Sequence, residues 1–340
     1  MTLYNLRTIS ILVFLSFFGC KTKETILEPI TVGDPFEVPI WKYSINHFFI
    51  DTLYATNYDQ FIQNTTRSPH PEYNIKSIQV WKQQSGLANP NSLFAKAFIT
   101  CPASNSSSYD SMRTLGDVPG HIETEIFSPL DGTSYSYDPL GGTITILDST
   151  ISDDLSIAIS YERYDGNQFG ETPFTVPRDS MQRLRTMILK LIRPHALQPA
   201  YSIGWKLLMK NIYFIGKMEV AHIGFSLDVF TDFQNAIQSD SISGIPLLTV
   251  LGLDRFHLDG AVGSDGIFDF LPNVTIDKVH GEIVFPNLRP FDDGIRNYFK
   301  SIGQPLPSNS RFLLPALYDT TSYALKYSTN SYVIKGRAVN

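Results

Sequence analysis

The sequence predicts an α+β fold dominated by β structure: antiparallel β modules, sandwich-like in the first half, with a few amphipathic helices in the second. Three observations carry that class. Many segments alternate with period two and are rich in β-branched and aromatic residues. A few apolar sets recur at helical spacing. Turn residues stand between the runs at Asp131-Gly132, Gly141-Gly142, Asp165-Gly166-Asn167 and Pro272-Asn273. With 340 residues, 43% hydrophobic and 18% charged, the chain is long enough for one large domain or two, and too apolar to stay disordered. Its formal charge of −6 argues against nucleic acid or an anionic lipid surface as an electrostatic partner, since both need a surplus of Lys and Arg.

The first element is an export signal. Residues 1–20 read MTLYNLRTISILVFLSFFGC, with Arg7 as the sole charge, an apolar run from Ile9 to Phe18, then Gly19 and Cys20. The run is shorter than the roughly 20 apolar residues that span a bilayer. A cysteine at this point resembles the bacterial lipoprotein lipobox. That likeness makes Cys20 the site of lipid attachment and the first mature residue. Phe17 and Phe18 stand where a Leu and a small residue are usual, so plain cleavage with an incidental cysteine is the alternative. Cys101 then remains as a lone thiol, read as a buried small hydrophobe. The expected organisation is a signal over 1–19, an N-terminal tether and entry segment over 20–72, a β-rich module over 73–171 and a mixed α+β module over 172–340.

Strands are expected in YNIKSIQVW (73–81), SLFAKAFIT (92–100), HIETEIF (121–127), GTITIL (142–147), LSIAISYE (155–162), GFSLDVF (224–230), GEIVFP (281–286) and SYVIKGR (331–337). Three segments read as helices. In SMQRLRTMILKLIRP (180–194), Met181, Leu184, Met187, Ile188 and Leu191 share a stripe that Pro194 ends. WKLLMKNIYFIG (205–216) and FDDGIRNYFKSIG (291–303) are the others. The helices expected within 180–216 argue against a membrane barrel, which has no helices between its strands.

Specific catalytic signatures are absent: there is no nucleophile elbow, P-loop, HExxH helix or paired CxxC. Ser226 in GFSLD lacks the second glycine of an elbow. His121 with Glu123 and Glu125 has the residue types of a metal site, but on a strand these read as one solvated face. The stretch with most chemical character is LDRFHLDGAVGSDGIFDF (253–270), where Asp254, Asp259, Asp265 and Asp269 alternate with glycines. Oxygen ligands in a Gly-rich loop suit Ca²⁺. Asp side chains capping nearby backbone N–H groups in two turns account for the same residues without a metal, and no other cofactor is expected. The arginines from Arg178 to Arg193 suit either an acidic partner or a solvated face.

The runs SYSYDPLGGTITILDSTISDDLSIAISYERYDGNQFGE (134–171), LKLIRP and WKLLMKNIYFIG (189–216), LDVF (227–230), PLLTVLGLDRF, SDGIFDFLPNVTID and GEIVFPNLRPF (246–291) resemble, in consistent order, the SprA family. That family is the very large outer-membrane translocon of type IX protein secretion and gliding motility in Bacteroidetes. The resemblance implies a soluble module of such a protein rather than its transport barrel. It carries over no catalytic residue. Asn211 and Tyr213 are implied as fold-defining positions at a helix end, and Asp265, Gly266, Phe268 and Asp269 as a turn entering a strand. The sequence places its own export signal before the module and stops about where barrel-forming sequence would continue.

The expected function is therefore a non-enzymatic, lipid-anchored cell-envelope protein at the outer membrane, on its periplasmic face or at the cell surface. Its expected partners are proteins of the secretion and gliding machinery. The alternatives are a stand-alone surface module for glycan or polymer, suggested by the 13% aromatics, and a shortened relative without transport activity. A hydrolase has only generic Asp and His residues behind it.

Overall fold

A computed structural model describes residues 33–63, 70–86, 90–104, 106–234, 236–306 and 310–340. The signal segment and Cys20 lie outside the described residues. From residue 33 on, the described part of the expected tether and entry segment belongs to the fold: it supplies β1 (Asp34–Pro39), β2 (His47–Phe49) and helix α1 (Thr52–Gln63), and buries Phe48, Phe49 and Ile50 completely. Asp51 starts α1 as its cap, accepting the Leu53 N–H on Oδ1 at 3.0 Å.

The alternating runs that follow form β3 (Ile75–Gln83), β4 (Leu93–Phe98), helix α2 (Ser106–Arg113), β5 (Ile122–Pro129), β6 (Tyr135–Asp138), β7 (Thr143–Ile146), β8 (Ile157–Arg163), β9 (Gln168–Phe169) and β10 (Met187–Arg193). Their pairing closes a ring. β3 pairs with β5 and β8, β5 with β4, β4 with β10 in parallel, and β10 with β8. This five-stranded barrel has no free edge along these pairings. Val80 stands opposite Ile159 and Ala95 opposite Met187 in its walls. β2, β7 and β6 form a separate three-stranded sheet.

β10 corrects the first helix expectation and joins the barrel from beyond position 172. All seven residues of MILKLIR are buried, so the strand is covered on both faces and reads as a continuous apolar run rather than as alternation. Burying Met187, Ile188, Leu189, Leu191 and Ile192 contributes roughly 1.5–3 kcal/mol each. Helix propensities among such residues differ by only about a few tenths of a kcal/mol, so burial decides. Met181 and Leu184, the rest of the supposed stripe, are exposed. The charges inside β10 are matched: Lys190 meets Asp51 at 2.7 Å, and Arg193 donates to the carbonyls of Leu155 and Ser152.

Beyond the barrel, WKLLMKNIYFIG divides. Helix α3 (Ser202–Leu207) ends where Leu208 turns extended, and β11 (Ile212–Phe214) follows. Asn211 therefore precedes a strand and Tyr213 lies within it, instead of at a helix end. Next come β12 (Ser226–Phe233), the hairpin β13 (Ser241–Ile242) and β14 (Ile245–Pro246), the single turn α4 (Leu247–Val250), β15 (Ile276–Asp277) and β16 (Glu282–Val284). The third expected helix is present as α5 (Ile295–Ser301). The short helices α6 (Ala316–Asp319) and α7 (Ser322–Leu325) lead to β17 (Asn330–Ala338), which pairs with β1 on one side and β12 on the other. This end-to-start pairing joins the two termini of the described chain, and Val32–Asn340 form one compact unit. The α+β, β-dominated class expected from the sequence is the one observed, but the expected antiparallel sandwich of the first half is instead a small mixed barrel, closed by the parallel pairing of β10 with β4.

Candidate functional site

The aspartate-glycine stretch between α4 and β15 is a pair of turns held by its own carboxylates. Asp254 is buried, and its two oxygens accept the N–H groups of Asp265 and Gly266, each at 3.0 Å, and the Thr249 hydroxyl at 2.9 Å. Asp265 accepts from Ile267 and Leu258, Asp259 from Ala261, and Asp269 from Arg255. Gly266 has a φ of +82°, which favours glycine, and Phe268 packs its ring 5.5 Å from Phe225. These are fold-defining contacts. Among the described residues no group of three or more His, Cys, Asp or Glu is placed to hold a metal ion. Of the two readings the sequence left open, the carboxylate-capped turns have the observed geometry. Calcium or a chelator is accordingly expected to leave the unfolding temperature unchanged within about 1 °C, since a bound ligand would raise it by mass action; differential scanning fluorimetry checks this.

The other residues singled out from the sequence serve the fold. Strand β5 is internal to the barrel, not a solvated edge; Glu123 on it accepts the His195 N–H at 3.0 Å and the Ser156 hydroxyl, and burial raises its pKa. Cys101 is buried with Sγ 3.4 Å from the Tyr109 hydroxyl, and burial pushes the thiol up, away from the reactive thiolate. Arg183 pairs with Asp179 and Arg185 with Asp110, so the exposed arginines have local partners. Ser226 lies exposed on β12.

One internal polar group has residue types of interest to hydrolysis. His47 Nδ1 lies 2.9 Å from Thr145 Oγ1 and Nε2 lies 3.0 Å from Glu282 Oε1, and Ser44 donates to the same Glu282 oxygen at 2.9 Å. A nucleophile needs its hydroxyl on the base. Here the Ser44 proton goes to the carboxylate, and the group ties β2, β7 and β16 together.

The site with the most unusual chemistry was not singled out from the sequence. Between α1, α3 and α6 lies a cavity of about 390 Å³ walled by Ala55, Pro199, Trp205, Leu208, Leu288 and Tyr318. Lys210 lines it and is only 4% exposed. Its ammonium donates to the Trp205 carbonyl at 3.1 Å and sits 4.2 Å from the Trp205 ring centroid. Among the described residues no carboxylate is in ion-pair range of it. Trp205 is fixed in turn, its indole N–H donating to the Tyr318 carbonyl at 2.7 Å. Tyr318 accepts the Phe291 N–H on its hydroxyl and carries Arg289 over its ring at 4.5 Å. At the rim Asp319 is 4.0 Å from Arg289.

Burial therefore acts on Lys210 almost unopposed. It lowers the pKa to about 7, Asp319 pulling the other way and Arg289 adding to the depression. The sign for stability follows. The unfolded lysine holds its proton to about pH 10, so between pH 7 and 10 the unfolded chain binds the extra proton and stability rises with pH. The burial penalty is present in full below pH 7 and is relieved above it. Lys210→Met is expected to flatten the rise by up to about 1.4 kcal/mol per pH unit between pH 7 and 9, read from urea unfolding of both proteins.

No family model matches the chain, and no curated protein matches it in sequence. Among the described residues no helix is long and apolar enough to cross a membrane.

Proposed function

We propose that this chain is a non-enzymatic cell-envelope protein, exported and membrane-anchored through Cys20, that acts in type IX secretion and gliding as an accessory or structural subunit related to a soluble SprA module. The observation that carries the reading is where the SprA-like residues meet. Asn211 donates to the Phe285 carbonyl at 2.7 Å and to the Tyr58 hydroxyl at 3.1 Å, and its own carbonyl accepts the Phe285 N–H at 2.9 Å. The Tyr213 ring stands 5.4 Å from Phe285 and 6.4 Å from Phe291, edge-on to both. Runs that lie far apart in the sequence thus build one buried aromatic knot, which supports reading them as parts of one module.

These runs and the residues between them carry a surface suited to a protein partner. A groove of about 680 Å³ opens between β12 and the Asp-Gly turns, lined by Phe225, Phe268 and Phe270, with Leu258 82% and Ile267 48% exposed at its lip. Apolar surface of this kind marks a contact site. A glycan-binding module calls for exposed rings in a row. The exposed pair Tyr323 and Tyr327 stands edge-to-face at 5.6 Å and 75°, so the docking reading is better supported. The test is genetic. Replacing the chromosomal gene with Leu258→Asp/Ile267→Asp, with the purified variant folded, is expected to reduce secretion of type IX cargo as deletion does. Unaltered secretion in the deletion strain contradicts the reading.

A further inference from the structure

We propose that the cavity between α1, α3 and α6 is a binding site for a small amphipathic carboxylate, its anionic end on Lys210 and its apolar body between Trp205, Tyr318 and Leu288. This inference is independent of the secretion reading. Its volume of about 390 Å³ lies in the range of ligand sites, roughly 300–1,000 Å³, and such sites are mostly apolar with a few placed polar groups. Lys210 is the placed group. An ammonium has three donors, and among the described residues Lys210 uses one on a protein acceptor, the Trp205 carbonyl. A buried cation without a carboxylate partner is a costly arrangement, and an anion entering the cavity relieves it.

The other charges around Lys210 fit the same sign. Lys206 lines the cavity from α3, Arg289 flanks it with its charge already paired to Asp292 at 2.8 Å and Asp293 at 3.1 Å, and Asp319 is the one carboxylate among the lining residues, 67% exposed at the rim. A ligand held by its carboxylate on Lys210 leaves its body against apolar walls and keeps its anion away from Asp319. A neutral ligand gains at most a hydrogen bond from Lys210, and a cationic one is repelled by it. Because burial lowers the Lys210 pKa in the free site to about 7, an anion binding above that pH must draw a proton onto Lys210.

The test is isothermal titration calorimetry of the full mature chain with 4-phenylbutyrate, octanoate and the neutral 4-phenylbutanamide. Saturable binding of one or both carboxylates is expected, with the amide roughly tenfold weaker or worse, since hydrogen bonds to charged groups are the stronger ones. Preference between the aromatic and the linear acid identifies the body the cavity takes. Affinity is expected to fall by up to tenfold per pH unit between pH 7 and 9. Lys210→Met, whose folding is checked by thermal unfolding, is expected to abolish both the preference for the acid and the pH dependence. Ser202→Trp, an exposed position on the cavity lining, leaves Lys210 in place and is expected to block binding. Absence of binding by both acids, equal binding of acid and amide, or pH-dependent binding that survives Lys210→Met in a folded protein overturns the proposal.

Discussion

Gly281→Ala is expected to prevent stable folding. Gly281 has a φ of +68°, and a Cβ there would stand 1.5 Å from the Lys217 carbonyl oxygen and 2.7 Å from its carbon. The obstacle is backbone, which cannot rotate away as a side chain does. The Lys217 segment is itself pinned close by, since Ile215 donates its N–H to the Gly281 carbonyl at 2.9 Å. Gly281 leads directly into β16, where Glu282 holds His47 and Ser44 and where Phe285 enters the aromatic knot. Accommodating the methyl group displaces all three contacts. A loss above about 4 kcal/mol is expected, which belongs to the exceptional tail of point substitutions and takes most of an ordinary domain's stability. Soluble yield and urea unfolding measure it. Gly266→Ala is the control: φ is +82° but nothing lies within 4 Å of the added Cβ. Only the conformational penalty of roughly 1–2 kcal/mol applies there. Equal, small effects at both positions would show that the two backbone segments are not in contact.

Asp51→Ala is the second large effect. Lys190 is buried in β10, with Nζ 2.7 Å from Asp51 Oδ2 and 3.2 Å from the Ile99 carbonyl. Removing the carboxylate leaves an ammonium inside the protein with one neutral acceptor. Breaking one partner out of a buried pair costs about 3–5 kcal/mol, and the lost α1 cap adds about 1 kcal/mol. Because Asp51 is itself partly exposed, the lower end is expected, about 4 kcal/mol in all. Asp51→Ala/Lys190→Met should recover most of the pair's share and leave the cap's share lost, because an apolar side chain suits the buried position. The pH dependence has a definite sign. Burial alone would raise the Asp51 pKa; the attraction and hydrogen bond of Lys190, with the Leu53 N–H, outweigh it and hold the carboxyl below its ordinary 3.8. The contribution is present above pH 4 and is lost as pH falls through the depressed folded value. Acid unfolding of Asp51→Ala should therefore lack that part of the wild-type transition.

Alternation made the strands legible. Each of the eight runs expected from the sequence overlaps an observed strand, because period two and β-branched residues report a pleated, half-buried surface directly. What the sequence concealed has physical causes. β1 carries Pro35 and Pro39, which read against a strand, yet it pairs with β17 alone and a free edge tolerates missing donors. β2 is three residues long and has no period to show. β10 is buried on both faces, so its apolar run matched a helical stripe as easily as a strand, and its parallel partner β4 lies some ninety residues earlier, beyond any local signal.

The candidate sites divide along the same line. Asp254, Asp259, Asp265 and Asp269 stood out because their chemistry is written in one short stretch, and the structure uses them to cap backbone there. Lys210 did not stand out. A lone lysine after Leu207, Leu208 and Met209 reads as the wet face of a helix, and only the end of α3 at Leu207 turns it inward over Trp205. Its neighbours in the cavity, Ala55, Leu288 and Tyr318, come from segments up to 263 residues apart. The one local hint was a charge directly after three apolar residues and one residue short of the apolar run over 212–215.

The most direct test of the proposed role is recovery of the tagged protein from its native membranes in mild detergent, with Cys20→Ser as the unanchored control and partners identified by mass spectrometry. The account predicts a large outer-membrane translocon barrel protein in the wild-type eluate, diminished when the anchor is removed. A wild-type protein that elutes cleanly without such a partner, from cells in which the secretion machinery is assembled and active, contradicts it.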